Sequence, residues 1–414
     1  MSEAPSRPTT SPMAALGAIM SGALILQIAA ATVSTLVPLQ MAVANQPPLL
    51  IGIVASAYSV GFLFGCFWIP TLIRRIGHIR GFAVFSALQA TMTIGFALLP
   101  QEWWGLARLG MGFAQAGHSI TIESWISGQA KAGNRGRIFG FYQIVNRLAL
   151  VGSQIGVGYA ALQAHDIFLI GSIAFSLALI PVSLTRARGP DSPPLVSLRL
   201  ATVWAQAPAA VVACVYVGVM SGVLSNVAPA YGILVGLDRR AAILLTAATQ
   251  LGALLAQWPL GLLADRMDNR RILLGGATVA TLATIALGAL IYSGSGSGSR
   301  IQLYLLFGLI GAGSIPLYAV AVTHAFARLG QDQAVGLSAG LLFLWGVGST
   351  IGPLAATAPM QLFGPQALLA SLGLLSAGVA AYLALRLVRK APPTPEKEPS
   401  NIPPRLPDIA PDRQ

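Results

Sequence analysis

The chain has 414 residues, of which 55% are hydrophobic and 9% are charged. Soluble globular proteins carry about 25% charged residues, so the composition excludes a soluble protein of this size. The net charge of +12 does not indicate a nucleic-acid partner, because the basic residues lie in short segments between apolar runs, as the positive-inside rule expects of membrane proteins. The sequence therefore predicts a protein embedded in a lipid bilayer.

Twelve apolar segments follow one another along the chain. A helix needs about 20 residues to cross about 30 Å of hydrocarbon, and continuous apolar runs favour helices over membrane strands, which alternate polar and apolar residues. The predicted spans are 13–37, 49–72, 81–100, 104–125, 138–161, 167–184, 207–227, 241–263, 272–292, 301–324, 334–356 and 365–387. The predicted fold class is an all-α membrane protein of twelve transmembrane helices.

Basic residues are concentrated in every second loop. One set of loops, with the end of the last span, contains Arg74, Arg75, Arg80, Lys131, Arg135, Arg137, Arg186, Arg188, Arg199, Arg266, Arg270, Arg271, Arg328, Arg386, Arg389 and Lys390. The other set contains Arg239, Arg240 and Arg300. The positive-inside rule then predicts that both termini are cytoplasmic, in a bacterial cytoplasmic membrane. The first apolar run is too long for a cleaved signal peptide.

A hexapeptide repeats at about half the chain length. Val-Gly-Ser-Gln-Ile-Gly at 151–156 recurs as Val-Gly-Ser-Thr-Ile-Gly at 347–352, which places the copies in the fifth and eleventh segments. The repeat predicts a duplicated six-helix unit, and such halves are a plan of transporters that bind solute between them. Each copy also carries two glycines four residues apart, a spacing that allows close helix packing.

The predicted domain boundaries follow from this duplication. An N-terminal six-helix bundle spans 13–185 and a C-terminal bundle spans 207–387, with a polar cytoplasmic loop at 186–206. The tails are 1–12 and 388–414, and the second is predicted to be disordered because it is rich in Pro and charge. Cys66 and Cys214 lie in different halves, so neither a disulfide nor a metal site is expected.

Several motifs resemble those of a known family. Gly261-Leu-Leu-Ala-Asp-Arg with Arg270-Arg271 resembles the signature loop Gly-x-x-x-Asp-Arg-x-Gly-Arg-Arg of the major facilitator superfamily, although Asp268 replaces its second glycine. Arg108-Leu-Gly-Met-Gly resembles the fourth-span motif of that superfamily. The segments 75–82 and 123–137 are similar to its bacterial YcaD-like group. The resemblance implies two pseudo-symmetric six-helix bundles that alternate in access.

Polar residues recur on single faces of the fourth and fifth segments. Gln115 shares a face with Arg108, and Gln143 shares one with Arg147. An antiparallel pair would bring both faces to one cavity, with Arg147 near mid-depth as an anchor for a polar or anionic solute group. The alternative is an Arg that braces a neighbouring helix. The further candidates for solute contact are Asn146, Gln27 and Tyr318.

Ionisable residues within the spans are candidates for proton coupling or gating. Glu123 is the only carboxylate in a predicted span and could exchange protons, but pairing with Arg135 or Arg137 is the favoured alternative. His118 is a second proton candidate, against a structural hydrogen bond. The superfamily resemblance links Arg108 to proton coupling. It also implies that Asp265, Arg266, Arg270 and Arg271 belong to a charge network that closes the cytoplasmic gate.

These features favour a monomeric secondary transporter of a small organic solute, with protons as the coupling ion. The sequence contains no nucleotide-binding loop or metal motif, so neither a cofactor nor enzymatic activity is expected. Gly156-Val157 lacks the proline of the superfamily's antiporter motif, which favours a metabolite or vitamin. The family resemblance adds riboflavin as one candidate. The alternatives are a multidrug/proton antiporter and a non-transporting membrane sensor.

Overall fold

The protein is helical throughout the part of the chain that a computed structural model describes, residues 12–129, 135–184, 200–264, 266–292, 300–329 and 334–389. A 3₁₀ turn at Gln101–Trp103 precedes the fourth helix. The helices are α1 (Pro12–Val43), α2 (Pro48–Ile76), α3 (His78–Leu98), α4 (Trp104–Gln129), α5 (Arg135–Tyr159), α6 (Ala164–Leu177), α7 (Leu179–Ser183), α8 (Leu200–Gln206), α9 (Pro208–Asn226), α10 (Ala228–Leu234), α11 (Arg239–Ala264), α12 (Asn269–Tyr292), α13 (Arg300–Ser314), α14 (Leu317–Leu329), α15 (Ala334–Phe363) and α16 (Ala367–Arg389).

Fifteen of the sixteen helices in the described chain correspond to the twelve predicted segments, and the remaining one, α8, lies in the segment predicted as the cytoplasmic loop 186–206. Three segments are broken into two helices each, at Ala178, at Val227 and at Ile315-Pro316. Ten segments of the described chain are long and apolar enough to cross a membrane. The other two, α4 and α5, have 26 and 25 residues but carry more polar side chains. The all-helical membrane fold is confirmed, and the count of twelve spans stays a prediction.

The two halves pack their helices in the same order. In the first half α2 contacts α4, α3 contacts α4 and α6, and α1 contacts α5. In the second half α11 contacts α13, α12 contacts α13 and α16, and α9 contacts α15. These are the same pairs once the second half is counted from its own first span. The packing agrees with a duplicated six-helix unit.

The glycines of the repeated hexapeptide are closely packed in one half only. A Cβ atom at Gly348 would overlap the carbonyl oxygen of Val215 on α9, and one at Gly352 would lie 2.6 Å from the carbonyl oxygen of Val219. The equivalent Gly152 and Gly156 have no atom within 4 Å of such a Cβ, and both are exposed. The expectation of close packing is therefore correct for α15 and wrong for α5.

The two ends of the bundle differ in charge. The arginine-rich end, defined by Arg75, Arg266 and Arg271, carries the loops α2–α3 and α11–α12. At the opposite end the halves are joined: Arg239 Nη1 donates to the carbonyl of Leu162 at 2.9 Å, and Arg240 Cζ lies 3.5 Å above the ring of Tyr159. Within the described chain, the hydrogen bonds between halves lie in the middle of the bundle and at this opposite end.

Candidate functional site: a polar cavity between the halves

A cavity of about 430 Å³ lies where the two halves meet. Its lining residues come from both halves: Gln27, Ala30, Ala31, Ser34, Thr35, Tyr58, Ser59, Phe62, Gln115, Ser119, Gln143, Arg147, Leu150, Gln154, Val217, Ser221, Ser225, Asn226, Gln250, Ile315, Tyr318, Leu342, Trp345, Gly346 and Ser349. A larger groove of about 550 Å³ runs between α12 and α16, but its lining is almost entirely apolar. The groove offers a solute few polar partners, so the cavity between the halves is the candidate solute site.

Arg147 lines the cavity from α5 and reaches across to the second half. Its Nη1 donates to Gln250 Oε1 on α11 at 3.0 Å. The amide of Gln250 donates in turn to Ser225 Oγ on α9 at 3.1 Å. The Arg147–Gln250 hydrogen bond holds the guanidinium of Arg147 at the cavity wall in the first half, and its acceptor in the second half is a neutral amide.

Arg108 lies directly behind the cavity wall and is fully buried. Its guanidinium donates to Ser34 Oγ on α1 at 3.2 Å and to Asn226 Oδ1 on α9. The ring of Tyr58 lies 4.5 Å from its Cζ, within the range of a cation–π contact. Arg108 therefore connects α4 with α1, α2 and the second half.

Amide side chains supply further hydrogen-bonding groups around the cavity. Gln115 accepts a hydrogen bond from Gln89 Nε2 on α3 at 3.0 Å, and Gln154 Nε2 lies 3.5 Å from Thr35 Oγ1. The Oε1 atom of Gln154 is buried without a hydrogen-bond partner in the described chain. Gln27 and Gln143 also line the cavity. A solute with polar groups would find both donors and acceptors here.

Aromatic side chains from both halves contribute to the apolar part of the lining. Phe62 on α2 and Trp345 on α15 meet edge to face across the interface, with ring centroids 6.2 Å apart. Tyr58 and Tyr318 add two more rings. Flat groups of a solute would pack against such rings.

Six of the predicted site residues in the described chain do not line the cavity: Arg108 behind its wall, Arg266 and Arg271 in the loop between α11 and α12, and His118, Asn146 and Glu123. His118 faces α3, where its Nε2 lies 3.1 Å from Ser86 Oγ and its ring packs edge to face on Phe82 at 4.9 Å. Asn146 is hydrogen-bonded to Tyr142 on its own helix. Glu123 is exposed and interacts electrostatically with Tyr318, which does line the cavity.

The structure describes only part of the predicted gate loop between α11 and α12. Asp265 lies outside the described residues, as do the side chains of Arg135 and Arg137. Arg266 and Arg271 are exposed. The ion pair in this loop joins Asp268 and Arg270 at 2.7 Å, and Arg270 Nη1 lies 3.4 Å from the carbonyl of Arg386 at the end of α16. Asp268 therefore provides a carboxylate at the position where the family motif has glycine.

Asp268→Asn is expected to lower the thermal stability at neutral pH. Burial opposes ionisation of Asp268, but hydrogen bonds from the Arg270 side chain and backbone outweigh it and lower the pKa of the carboxyl. Because the folded pKa is depressed, the stabilisation is present at neutral pH and is lost as the pH falls through the folded value. Thermal unfolding of both proteins between pH 7 and pH ~3 should show the difference in Tm shrinking on acidification.

Asp238→Asn is the matched control for Asp268→Asn. Asp238 pairs with Arg300 at 2.8 Å, but 49% and 65% of the two side chains are exposed, and exposed pairs contribute little. Asn can also retain the cap that Asp238 Oδ1 forms with the backbone N–H of Ala241 at 2.8 Å. Equal losses of Tm in both variants would contradict the special role of the Asp268–Arg270 pair.

Tyr58, Ser59 and Ser349 are site residues that the motifs did not reveal. Ser59 Oγ and Ser349 Oγ lie 2.9 Å apart across the interface, and Ser56 Oγ donates to the carbonyl of Thr350 at 2.7 Å. Ser349 belongs to the repeated hexapeptide, so the repeat was a signal for this contact. Tyr58 lies within an apolar run, and a tyrosine in such a run can either line a cavity or pack in the core. The residue type alone therefore did not identify it as a site residue.

Two like-packed halves around a polar cavity are the arrangement found in secondary membrane transporters. The model of the Major Facilitator Superfamily matches residues 212–410. An uncharacterized MFS-type transporter YcaD of Salmonella newport (strain SL254) is 28% identical over 386 residues, which are 91% of this chain and 96% of that protein. A similar protein of Enterobacter sp. (strain 638) is 27% identical over 388 residues, with the same coverage of both chains.

Solved structures share the fold. A mutant of the nucleoside transporter NupG matches with a TM-score of 0.75 at 12% identity, over 90% of this chain and 100% of that chain. A D-xylose-proton symporter matches with a TM-score of 0.64 at 16% identity, over 89% and 95%. The resemblance to the major facilitator superfamily and to its YcaD-like group is confirmed. The chain is a multi-pass membrane protein, and its relatives and fold are those of transporters, which generally are not enzymes.

Proposed function

We propose that this protein moves a small organic solute, a metabolite or vitamin, across the bacterial cytoplasmic membrane by alternating access, as a monomer and with proton coupling. The observation that carries the proposal is the Arg147–Gln250 hydrogen bond, because it spans the two halves at the wall of a cavity of solute size. Residues from both halves line that cavity, so a bound solute would contact both. Solute binding would then affect how the halves sit against each other.

The described conformation supports an inward-facing state if the arginine-rich end is cytoplasmic. The halves are joined at the opposite end by Arg239 and Arg240. Toward the arginine-rich end, Gln143 and Glu123 are exposed. The nucleoside transporter and the xylose-proton symporter of like fold act on small polar organic molecules, which is consistent with a polar solute here.

Proton flux across sealed proteoliposomes tests the proposal. The purified protein would be reconstituted with a pH-sensitive dye in the lumen and challenged with vitamins, nucleosides, sugars, amino acids, organic acids and cationic dyes. Solute-dependent change of the luminal pH, absent from liposomes without protein, is expected for one class. Solute uptake without a change of the luminal pH would support transport and contradict proton coupling. If no solute is taken up, the proposed function is wrong.

Glu123→Gln is expected to abolish proton-driven accumulation while solute exchange continues. The amide keeps the size of the side chain but cannot release a proton, and Glu123 acts electrostatically on Tyr318, which lines the cavity. Counterflow of labelled solute, which needs no net proton movement, should persist in vesicles in which gradient-driven uptake is lost. Loss of both activities at normal expression would assign Glu123 a structural role instead.

A further inference from the structure

The lining of the cavity carries positive charge and no negative charge, because Glu123, which acts electrostatically on Tyr318, is not itself a lining residue. Arg147 lines the cavity, Arg108 lies behind its wall, and none of the lining residues is Asp or Glu. In the described chain the ion pairs lie elsewhere, at Asp268 and Asp238. Charged groups removed from water are normally paired, so a cavity lined by Arg147 and by no carboxylate favours a ligand that brings an anionic group.

Both arginines are held by neutral acceptors from the other half. Arg147 donates to Gln250 and Arg108 donates to Asn226. A carboxylate forms stronger hydrogen bonds with guanidinium than an amide oxygen does, and it can accept two at once. A solute carboxylate would therefore displace Gln250 from Arg147.

The two arginines differ in access, which limits the charge of the ligand. Arg108 is fully buried, and its two terminal nitrogens already donate to Ser34 and Asn226. Arg147 is partly exposed and lines the cavity. One accessible guanidinium matches one carboxylate, so a monoanion is favoured over a phosphate ester or a dicarboxylate.

The rest of the ligand is constrained by the aromatic lining. Phe62 and Trp345 meet across the interface, and Tyr318 lies on the same cavity. Rings of this kind favour flat unsaturated groups, and the volume of about 430 Å³ is in the range of small-molecule sites.

We propose that the cavity binds a flat organic monocarboxylate. Its carboxylate replaces Gln250 as the hydrogen-bond acceptor of Arg147, and its planar body packs against Phe62 and Trp345. The proposal rests on the transport function above and specifies its solute. Binding would replace a hydrogen bond between the halves with one between Arg147 and the solute. The solute thereby loosens the interface in the middle of the bundle, which links occupancy to movement.

Acids and their amides of equal shape provide the direct test. The probes are nicotinate and nicotinamide, cinnamate and cinnamamide, and indole-3-acetate and indole-3-acetamide, measured by equilibrium dialysis against the detergent-purified protein. At least one acid is expected to bind about tenfold or more tightly than its amide, because a charge-assisted bidentate pair replaces a neutral contact. If no acid binds more tightly than its amide, the proposal is wrong.

Variants of Gln250 test the displacement step with opposite signs. Gln250→Glu places a fixed carboxylate beside Arg147, so the acid is expected to bind about tenfold or more weakly. Gln250→Met removes the competing acceptor at similar size, so the acid is expected to bind as tightly as to the native protein or more tightly. Weaker binding in both variants would show that Gln250 contacts the solute, and would overturn displacement.

Arg147→Gln should reduce binding of the acid to that of its amide, while Arg147→Lys should retain part of the preference because charge remains without the planar fork. Size-exclusion profiles identify any variant that does not fold, and the Gln250 pair remains informative in that case. Failure of this proposal is separable from failure of transport. Binding of an acid without solute flux would contradict the transport proposal alone. Flux of a neutral solute that Arg147→Gln does not change would contradict the carboxylate-site proposal alone.

Discussion

Gly348→Ala is expected to lower the melting temperature of the protein strongly, whereas Gly152→Ala is expected to leave it unchanged or to raise it. The two glycines occupy the same place in the repeated hexapeptide. At Gly348 the new methyl group would overlap the backbone of Val215, so α9 and α15 would have to move apart. Overpacking costs about 1–3 kcal/mol, and more where a backbone must shift.

Gly152 is the matched control because its surroundings are open. A Cβ atom there meets nothing within 4 Å, and Ala is favoured over Gly in a helix by about 1 kcal/mol. Thermal unfolding in detergent, followed by size-exclusion chromatography, would compare the two variants directly. Equal destabilisation of both would show that the glycines act through helix flexibility and not through contact with α9.

The helical architecture was predictable because apolar length decides it. The predicted span 49–72 lies inside α2 (Pro48–Ile76), and the span 365–387 nearly coincides with α16 (Ala367–Arg389). The breaks at Ala178 and Val227 were not predicted, since hydropathy averages over many residues and is insensitive to one local bend. The low apolar content of α4 and α5 has the physical reason that their polar residues face the cavity or neighbouring helices.

Part of the cavity was predictable because helical periodicity shows which residues share the polar face of a helix. Gln115, Gln143 and Arg147 lie on it, as their spacing on α4 and α5 indicated. The partners across the interface could not be predicted in this way. Gln250, which accepts from Arg147, and Asn226, which accepts from Arg108, come from the other half, more than 100 residues away in the chain. His118 shows the limit of a face estimate, since the contact with α3 turns it away from the cavity.

Arg108→Gln is expected to shift the protein toward opening at the end opposite the arginine-rich loops, and to impair transport severely. The substitution removes the guanidinium that donates to Asn226 across the interface and to Ser34 within its own half. A hydrogen bond to a charged group contributes about 1.5–3 kcal/mol. Its loss should therefore change the equilibrium between conformations by about 10- to 100-fold.

Spin-label distances would measure that equilibrium. Labels at Ala44→Cys and Gln302→Cys report on the opposite end, because both positions are exposed there on different halves. The native Cys66 and Cys214 would first be replaced by alanine. Arg108→Gln should increase the population of long distances, and an unchanged distribution would show that Arg108 does not hold this end closed.

Asn226→Asp provides the control of opposite sign. A carboxylate at this position would convert the neutral contact with Arg108 into an ion pair, which is stronger in a buried site when its hydrogen bonds are satisfied. The closed population should rise and solute flux should slow, although the cavity keeps its shape. Opposite shifts from Arg108→Gln and Asn226→Asp would identify the strength of this one contact as a determinant of transport rate, because an interface that is too weak or too strong cannot alternate.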